Sequence, residues 1–347
     1  MDLDESAFVR SSLTRLQAGR SLSEDGAARM MSLILAGRVG QVGLVRYLEL
    51  LAAKGASADE VVGSARALRR TMTPLAVPFE VMDTCGTGGD RSATFNISTV
   101  AALVVAAAGQ PVAKHGNRSS SGSVGSADVI EALGLGIDSG TDSLIDSLQQ
   151  HRFAFLFAPR FRPKAAQISD ARRLVRGPTL FNLVGPLCNP ARPAFQVIGA
   201  FSEYAAETLA EAALRMEPHH AIVVTGPGGI DELIPFDQNV AFEVVGGGIH
   251  RHVFRAEHAG VRTCALDALR GGDAELNARI ATRILSGQRG APRDAVVMNA
   301  GLALLAAGRT ESLRDGCEQC ASVIDRGMAR DLLETLRKGR DESGSGA

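Results

Sequence analysis

The stretch from Asp83 to Asp90 contains the residue types that most directly predict chemistry. It reads Asp-Thr-Cys-Gly-Thr-Gly-Gly-Asp, follows a short apolar run, and precedes Asn96–Thr99, where we predict that a helix begins. Glycines let backbone N–H groups approach an anion, and the start of a helix adds a favourable dipole. The P-loop pattern is absent, and the position of the third Rossmann glycine holds Arg91. A phosphate or pyrophosphate site of another kind is therefore predicted.

A second stretch, from Lys114 to Asp128, combines cations, hydroxyls and glycines after another short apolar run. The pairs Lys114-His115 and Asn117-Arg118 suit a loop that folds over a phosphorylated ligand, and Ser126 is predicted to cap the next helix. A solvated loop is the alternative. Such a loop would not need the two pairs, so we favour the ligand-binding interpretation.

Asp231 and Glu232 form a third candidate site after a predicted strand. Adjacent carboxylates repel each other unless a cation neutralises them, and magnesium prefers carboxylate, hydroxyl and pyrophosphate oxygens. An acidic surface turn is the alternative interpretation.

Composition limits the kind of protein that carries these motifs. The 347 residues are 45% hydrophobic, and 37 Lys and Arg against 38 Asp and Glu leave a formal charge of -1. Binding to nucleic acid usually needs a basic excess, so no nucleic-acid partner is predicted. We see no signal peptide and no apolar run long enough for a membrane span, so no membrane association is expected. The five scattered cysteines predict a reduced, cytoplasmic protein without disulfides.

Residues 1–74 are predicted to form a small helical bundle domain. Two capping boxes are expected, Ser21 with Glu24 and Ser57 with Glu60. Each precedes apolar residues at helical spacing. These stripes predict either the core of the bundle or a face for dimerisation, because a bundle this short has limited apolar area to bury by itself.

Residues 75–340 are predicted to form a larger α/β domain with a mostly parallel central sheet covered by helices. From Phe79 onwards, short apolar runs such as Phe153–Phe157 alternate with helical segments, which is the βαβ rhythm. Helices around 163–190 are expected to join the helical domain. Residues 295–307 and 312–337 are predicted to be helical, and residues 341–347 to form a disordered polar tail.

Taken together, the motifs are similar in order and spacing to those of the anthranilate phosphoribosyltransferase family over nearly the whole chain. The matching stretches are Asp83–Asp90, Asn96–Thr99, Lys114–Leu133, Phe181–Pro190 and Gly229–Glu232. Pyrimidine nucleoside phosphorylases share the fold, but their glycine and lysine motifs differ. The resemblance implies a homodimer assembled through the N-terminal domain. It also implies transfer of ribose 5-phosphate from phosphoribosyl pyrophosphate to the amine of anthranilate, with two magnesium ions in each active site.

The resemblance also implies roles for individual residues. Those that would hold phosphoribosyl pyrophosphate are Gly86, Gly89, Asp90, Asn96, Ser98, Thr99, Lys114 and Ser121. Those that would bind magnesium are Ser98, Asp231 and Glu232. The catalytic residues would be Lys114, Asp231 and Glu232. Those that would line the acceptor site are Gly86, His115, Asn117, Arg162 and Arg172. No general base is assigned, because an aromatic amine that attacks a cation-like ribose can lose its proton late.

The sequence departs from the family only on the acceptor side. Arg162 replaces the histidine of a His-Pro-Ala-Met-Lys segment, and Arg176-Gly177-Pro178 moves an arginine by two positions. These changes leave open a related transferase that uses a different aromatic carboxylic acid. A catalytically idle paralogue that binds nucleic acid is a third hypothesis, which the near-neutral charge and the Asp231-Glu232 pair disfavour.

Overall fold

The computed structural model describes residues 3–90, 92–118, 124–162 and 166–344. The helices are α1 Leu3–Gln17, α2 Glu24–Leu35, α3 Gln41–Lys54, α4 Ala58–Arg70, α5 Ile97–Ala107, α6 Ser126–Ala132, α7 Thr141–His151, α8 Ala158–Phe161, α9 Ala166–Leu174, α10 Leu180–Val184, α11 Glu203–Leu214, α12 Ala274–Leu285, α13 Ala291–Ala306, α14 Leu313–Asp325 and α15 Met328–Gly344. The strands are β1 Met82–Gly86, β2 Val112–Gly116, β3 Phe153–Phe157, β4 Phe195–Gly199, β5 His220–Thr225, β6 Asn239–Val245 and β7 Gly248–Phe254.

The strands form one seven-stranded sheet in the order β3-β2-β1-β4-β5-β6-β7. Strands β1 to β5 are parallel to one another, whereas β6 is antiparallel to β5 and forms an antiparallel hairpin with β7 at one edge. The hairpin turns at Gly246 and Gly247, whose φ angles of 58° and 79° suit glycine. The predicted, mostly parallel sheet is confirmed. The hairpin was not predicted, although two glycines between alternating apolar runs are a signal for one.

Helices cover both faces of the sheet, as α/β architecture requires. On one face, α5, α13 and α14 pack into a core with the apolar side chains of β1, β4 and β5. On the other face, α11 packs against β5 and β6 and also contacts α4 of the N-terminal helices. The parallel strands are therefore buried from both sides.

The N-terminal helices pack mainly on one another and on the segment after β3. Helix α2 lies against α4, α3 contacts α9, and α10 contacts both α3 and α4. The apolar stripe of α2 is fully buried: Ala27, Met30, Met31 and Ile34 each have 0% exposure. This stripe is core within the chain, so it is not a free dimer face.

Several helix ends differ from the predicted ones. The capping box at Ser57 and Glu60 is confirmed, but α2 is capped by Ser23, which lies directly before the first helical turn and accepts from Gly26 N–H. Ser126 is the first residue of α6, and Gly125 occupies the cap position. Residues 312–337 form two helices, because Gly327 has a φ of 77° that ends the run.

The C-terminal segment is also helical for longer than predicted. Helix α15 runs to Gly344, so residues 341–344 are helical where a tail was expected. No proline or glycine interrupts the chain between Gly339 and Gly344, and nothing there ends the helix. Residues 345–347 lie outside the described ranges. Among the described residues, no helix is long and apolar enough to cross a bilayer.

Candidate active site

The predicted motifs meet at the carboxyl ends of the central strands β1 and β4. From β1 the sheet extends to β2 and β3 on one side, and from β4 to β5 on the other, so the strand order reverses between β1 and β4. Ligands of open α/β sheets bind at such a switch point. The last residues of the two strands, Gly86 and Gly199, are register partners.

Both glycines are needed because the chain at Asp231 crosses directly over them. A Cβ atom on Gly199 would lie 1.5 Å from the carbonyl oxygen of Asp231, and one on Gly86 would lie 2.5 Å from Asp231 Oδ2. These distances leave no room for any side chain. The absence of Cβ atoms therefore allows the Asp231 carboxylate to sit on the strand ends.

The glycine loop, Thr87–Gly89, wraps around the same carboxylate. Gly88 and Gly89 have φ angles of 62° and 80°, in the left-handed region that favours glycine. Gly88 N–H donates to Asp231 Oδ2 at 2.6 Å, and Thr87 N–H donates to the Gly199 carbonyl at 2.9 Å. The loop is thereby fixed next to the predicted metal-binding residues.

Three carboxylates approach one another beside this loop. Burial, together with the charge of Asp90, raises the pKa of Asp231 to about 7. Burial and then Asp231 raise the pKa of Glu232 well above its usual value. Asp90 Oδ2 is buried without a hydrogen-bond partner. Buried, mutually repelling carboxylates with an unsatisfied oxygen are suited to neutralisation by a cation.

The donor set fits magnesium in particular. Glu232 accepts a hydrogen bond from Ser98 N–H at 2.9 Å, and Ser98, Asp231 and Glu232 line the same cavity. Among the described residues, no three His, Cys, Asp or Glu side chains converge closely enough to hold a metal alone. Magnesium usually binds to one or two carboxylates and completes its shell with water and phosphate oxygens.

Lys114 places a positive charge under the carboxylates. Its side chain is 2% exposed, and Nζ donates to the Thr84 carbonyl and lies 3.5 Å from Ser98 Oγ. Burial lowers the pKa of Lys114, while the neighbouring Asp83 opposes that shift. Asp83 is itself held by Asn189 Nδ2, at 2.9 Å. Lys114 thus has a fixed position and a fixed counter-charge.

The start of α5 faces the same region. Asn96 is the N-cap residue, but its side chain makes no capping bond. Instead its Nδ2 donates to the Val124 carbonyl at 3.0 Å and its Oδ1 accepts from Asn277 Nδ2 at 2.9 Å. Thr99 Oγ1 is buried without a partner. The first turn of α5 therefore offers the Thr99 hydroxyl to an anion, since the Asn96 side chain and Ser98 N–H are already bonded.

The acceptor-side residues form a cluster of basic side chains. His115 Nε2 is buried without a partner, and burial, followed by the charges of Arg162 and Lys114, lowers the pKa of His115 to about 3. Burial and then Arg162 also lower the pKa of Arg172. The Arg172 guanidinium lies 5.9 Å from the centroid of the Phe181 ring. His115, Arg162 and Arg172 are therefore neighbours, as a site for an anionic aromatic ligand requires.

Asn117 and Ser121 are also predicted to contact a ligand. The Asn117 side chain accepts from Arg118 N–H at 2.8 Å, so its oxygen is used within its own loop. Ser121 lies outside the described residues.

The sequence analysis missed four residues that hold the predicted ones in place. Thr84 accepts from Lys114, and Thr94 bonds to Glu232. Asn182 donates to the Thr87 carbonyl, and Asn189 donates to Asp83. Both asparagines belong to the Phe181–Pro190 motif, to which no role was given.

The low pKa of His115 predicts an acid sensitivity. Below pH 6.5 the unfolded chain takes up a proton that the folded imidazole, with a pKa of about 3, does not. This group therefore lowers the free energy of unfolding as pH falls from 6.5 towards 3, by up to about 1.4 kcal/mol per pH unit. Urea unfolding of His115→Gln should show a smaller loss of stability over this range than the parent protein. His258→Gln, at a half-exposed residue, is the control. A difference between His115→Gln and parent that does not vary with pH would contradict the assignment.

The fold and the site together define a glycosyl transferase. The family model described as "Glycosyl transferase family, a/b domain" matches residues 79–330, and that described as "Glycosyl transferase family, helical bundle domain" matches residues 10–72. The chain is 40% identical over 332 residues to the anthranilate phosphoribosyltransferase of Pelotomaculum thermopropionicum, covering 94% of this chain and 96% of that protein.

Solved structures agree with this class. The crystal structure of the anthranilate phosphoribosyltransferase from Thermus thermophilus matches with a TM-score of 0.87 and 37% identity, covering 94% of this chain and 98% of the other. The Saccharomyces cerevisiae enzyme in complex with phosphoribosyl pyrophosphate and magnesium has the same fold, with a TM-score of 0.86 at 24% identity over 96% of this chain and 97% of the other. The chain belongs to the anthranilate phosphoribosyltransferase family and is a pentosyltransferase. Enzymes of this family transfer the phosphoribosyl group of phosphoribosyl pyrophosphate to anthranilate in tryptophan biosynthesis. The predicted resemblance is confirmed.

Proposed function

We propose that this site binds phosphoribosyl pyrophosphate with magnesium and transfers the phosphoribosyl group to the amine of anthranilate. The observation that carries the proposal is the close grouping of Asp90, Asp231 and Glu232 beside the glycine loop, with Lys114 buried below them. This grouping supplies charge of both signs at the strand ends, as a metal-bound pyrophosphate requires.

The donor is held by backbone and hydroxyl groups of the two predicted loops. The residues proposed to contact it are Gly86, Gly89, Asp90, Asn96, Ser98, Thr99, Lys114 and Ser121. The positive end of α5 and the Lys114 ammonium stabilise negative charge as the bond from ribose C1 to pyrophosphate breaks. Ser98, Asp231 and Glu232 hold magnesium, which when bound neutralises charge on the leaving pyrophosphate. The proposal retains two ions in each site.

The acceptor is oriented by the cluster of His115, Arg162 and Arg172. A planar guanidinium pairs well with a carboxylate, and an imidazole that stays neutral offers an uncharged polar edge to the ring. The chain positions the amine for attack on C1, and its own groups need not take part in covalent chemistry. Gly86 and Asn117 are proposed to complete this side of the site.

A different aromatic carboxylic acid is the second candidate acceptor, because Arg162 adds a cation where the family has a histidine. Product analysis by mass spectrometry distinguishes the two. The purified protein, phosphoribosyl pyrophosphate and magnesium are incubated with anthranilate or with aromatic acids that carry a second carboxylate. Phosphoribosylanthranilate as the main product supports the proposal. A product formed only from a dicarboxylate would identify that dicarboxylate, and not anthranilate, as the substrate.

Arg172→Ala should raise the KM for anthranilate about tenfold or more and change the KM for the donor far less, because a charge-assisted contact to the carboxylate is lost. Arg173→Ala is the matched control, since Arg173 is next in the chain, 67% exposed and paired with Asp170. Steady-state kinetics with each substrate varied in turn measures both constants. Equal anthranilate KM values for the two variants would place the carboxylate elsewhere.

We also propose that the protein is a cytoplasmic homodimer. The cytoplasmic proposal is supported by its cysteines, all of which are unpaired and four of which are buried. The dimer is supported by the family resemblance of the N-terminal domain. Light scattering coupled to size exclusion measures the oligomeric state, and a monomer at micromolar concentration would contradict it.

A further inference from the structure

Asn182 joins the acceptor side of the site to the glycine loop. It is the third residue of α10, next to Phe181, whose ring lies near the Arg172 guanidinium. Its Oδ1 accepts from Thr179 N–H at 2.9 Å and completes a capping box at the start of α10. Its Nδ2 donates to the Thr87 carbonyl at 2.9 Å. Because each end of the amide has a partner of the right polarity, its orientation is fixed.

The glycine loop is held at three points, and Asn182 supplies one of them. The other two are the bond from Thr87 N–H to the Gly199 carbonyl and the bond from Gly88 N–H to Asp231. A Cβ atom built on Gly89 would lie 3.4 Å from Asn182 Nδ2, so the amide also packs against the last residue of the loop. Without Asn182, the Thr87 carbonyl would lose the hydrogen bond that it accepts from Asn182 Nδ2.

We propose that Asn182 is a positioning residue that holds the glycine loop in the geometry needed to bind the pyrophosphate of the donor. The inference rests on the proposed function, since it assumes that the loop contacts phosphoribosyl pyrophosphate. Asn182 acts through the loop backbone. Its effect therefore falls on donor binding, with little change in the contacts of the acceptor.

The physical reason is the cost of ordering glycines. Gly88 and Gly89 have access to more backbone conformations than other residues, so fixing them costs more conformational entropy. In the folded protein the Asn182 bond has already restricted the loop. Removing the bond shifts part of that cost to the binding step, so the donor binds more weakly.

Three variants separate this role from helix capping and from charge. Asn182→Ala removes both hydrogen bonds. Asn182→Asp keeps the acceptor for Thr179 N–H but replaces the donor to the Thr87 carbonyl with an oxygen. Thr179→Ala is the control, because it weakens the capping box through its hydroxyl and leaves the bond from Asn182 to Thr87 intact.

The test is the KM for phosphoribosyl pyrophosphate and for anthranilate in each full-length variant with magnesium present, together with thermal unfolding. We expect Asn182→Ala and Asn182→Asp to raise the donor KM about tenfold, to leave the anthranilate KM within about twofold, and Thr179→Ala to leave both unchanged. A rise in donor KM with Asn182→Asp alone would assign the effect to charge and overturn the inference. So would a loss of thermal stability with unchanged KM values. Absence of turnover in the parent protein would instead contradict the proposed function.

Discussion

Glu232→Gln should lower kcat/KM by about 100-fold or more while leaving the protein folded. Glutamine keeps the size of the side chain and retains an oxygen that can accept from Ser98 N–H, the bond seen at 2.9 Å. The substitution removes a carboxyl group whose pKa is raised by burial and by Asp231, and whose negative charge a bound cation would stabilise. Removing that charge weakens magnesium binding and does not destabilise the fold.

Steady-state kinetics at several magnesium concentrations, with circular dichroism, tests this expectation. Glu243→Gln is the matched control, because Glu243 also accepts hydrogen bonds, from His220 and His252, but lies on β6 near the edge of the sheet. The control should retain the activity of the parent protein. If Glu232→Gln kept the kcat/KM and the magnesium dependence of the parent, the assignment of Glu232 to the metal would be wrong.

Lys114→Met should lower kcat/KM by about 100-fold to about 1000-fold, because the fixed charge that stabilises the departing pyrophosphate is lost. Methionine has a similar length, so the cavity left behind is small. The variant should also be less stable, because burial raises the pKa of Asp83 to about 6 and the neighbouring Lys114 charge, which opposes that shift, is lost. Kinetics and chemical unfolding measure the two effects separately.

A second substitution distinguishes catalysis from stability. Asp83→Asn in the Lys114→Met background removes the uncompensated charge and should restore much of the stability, but not the activity. Lys54→Met serves as the control, because Lys54 pairs at 2.9 Å with the buried Glu60 in the N-terminal helices. That variant should lose stability and keep its kinetic constants. Recovery of turnover in the double variant would mean that Lys114 has only a structural role.

The sequence was informative where local patterns determine the structure. Strand β3, Phe153–Phe157, was predicted with its observed bounds because five apolar residues in a row leave few alternatives for a short buried segment. The glycine loop, the start of α5 after Asn96 and the pair Asp231-Glu232 were found because each needs particular residue types at fixed spacing.

The parts that were missed depend on contacts between distant segments. Asn182 and Asn189 bond to Thr87 and Asp83, which lie about a hundred residues earlier in the chain, so local spacing gave no indication of these pairs. The cap of α2 was misplaced by two residues because Ser21 and Ser23 both suit a cap, and only the structure shows which hydroxyl accepts from Gly26 N–H.

Steady-state turnover with phosphoribosyl pyrophosphate, magnesium and anthranilate tests the central claim most directly. The loss of anthranilate fluorescence and the release of pyrophosphate are followed together, with and without a chelator. The proposed function predicts equal rates for the two signals and no turnover when magnesium is removed. Binding of the donor without consumption of anthranilate, with magnesium present, would contradict anthranilate as the acceptor.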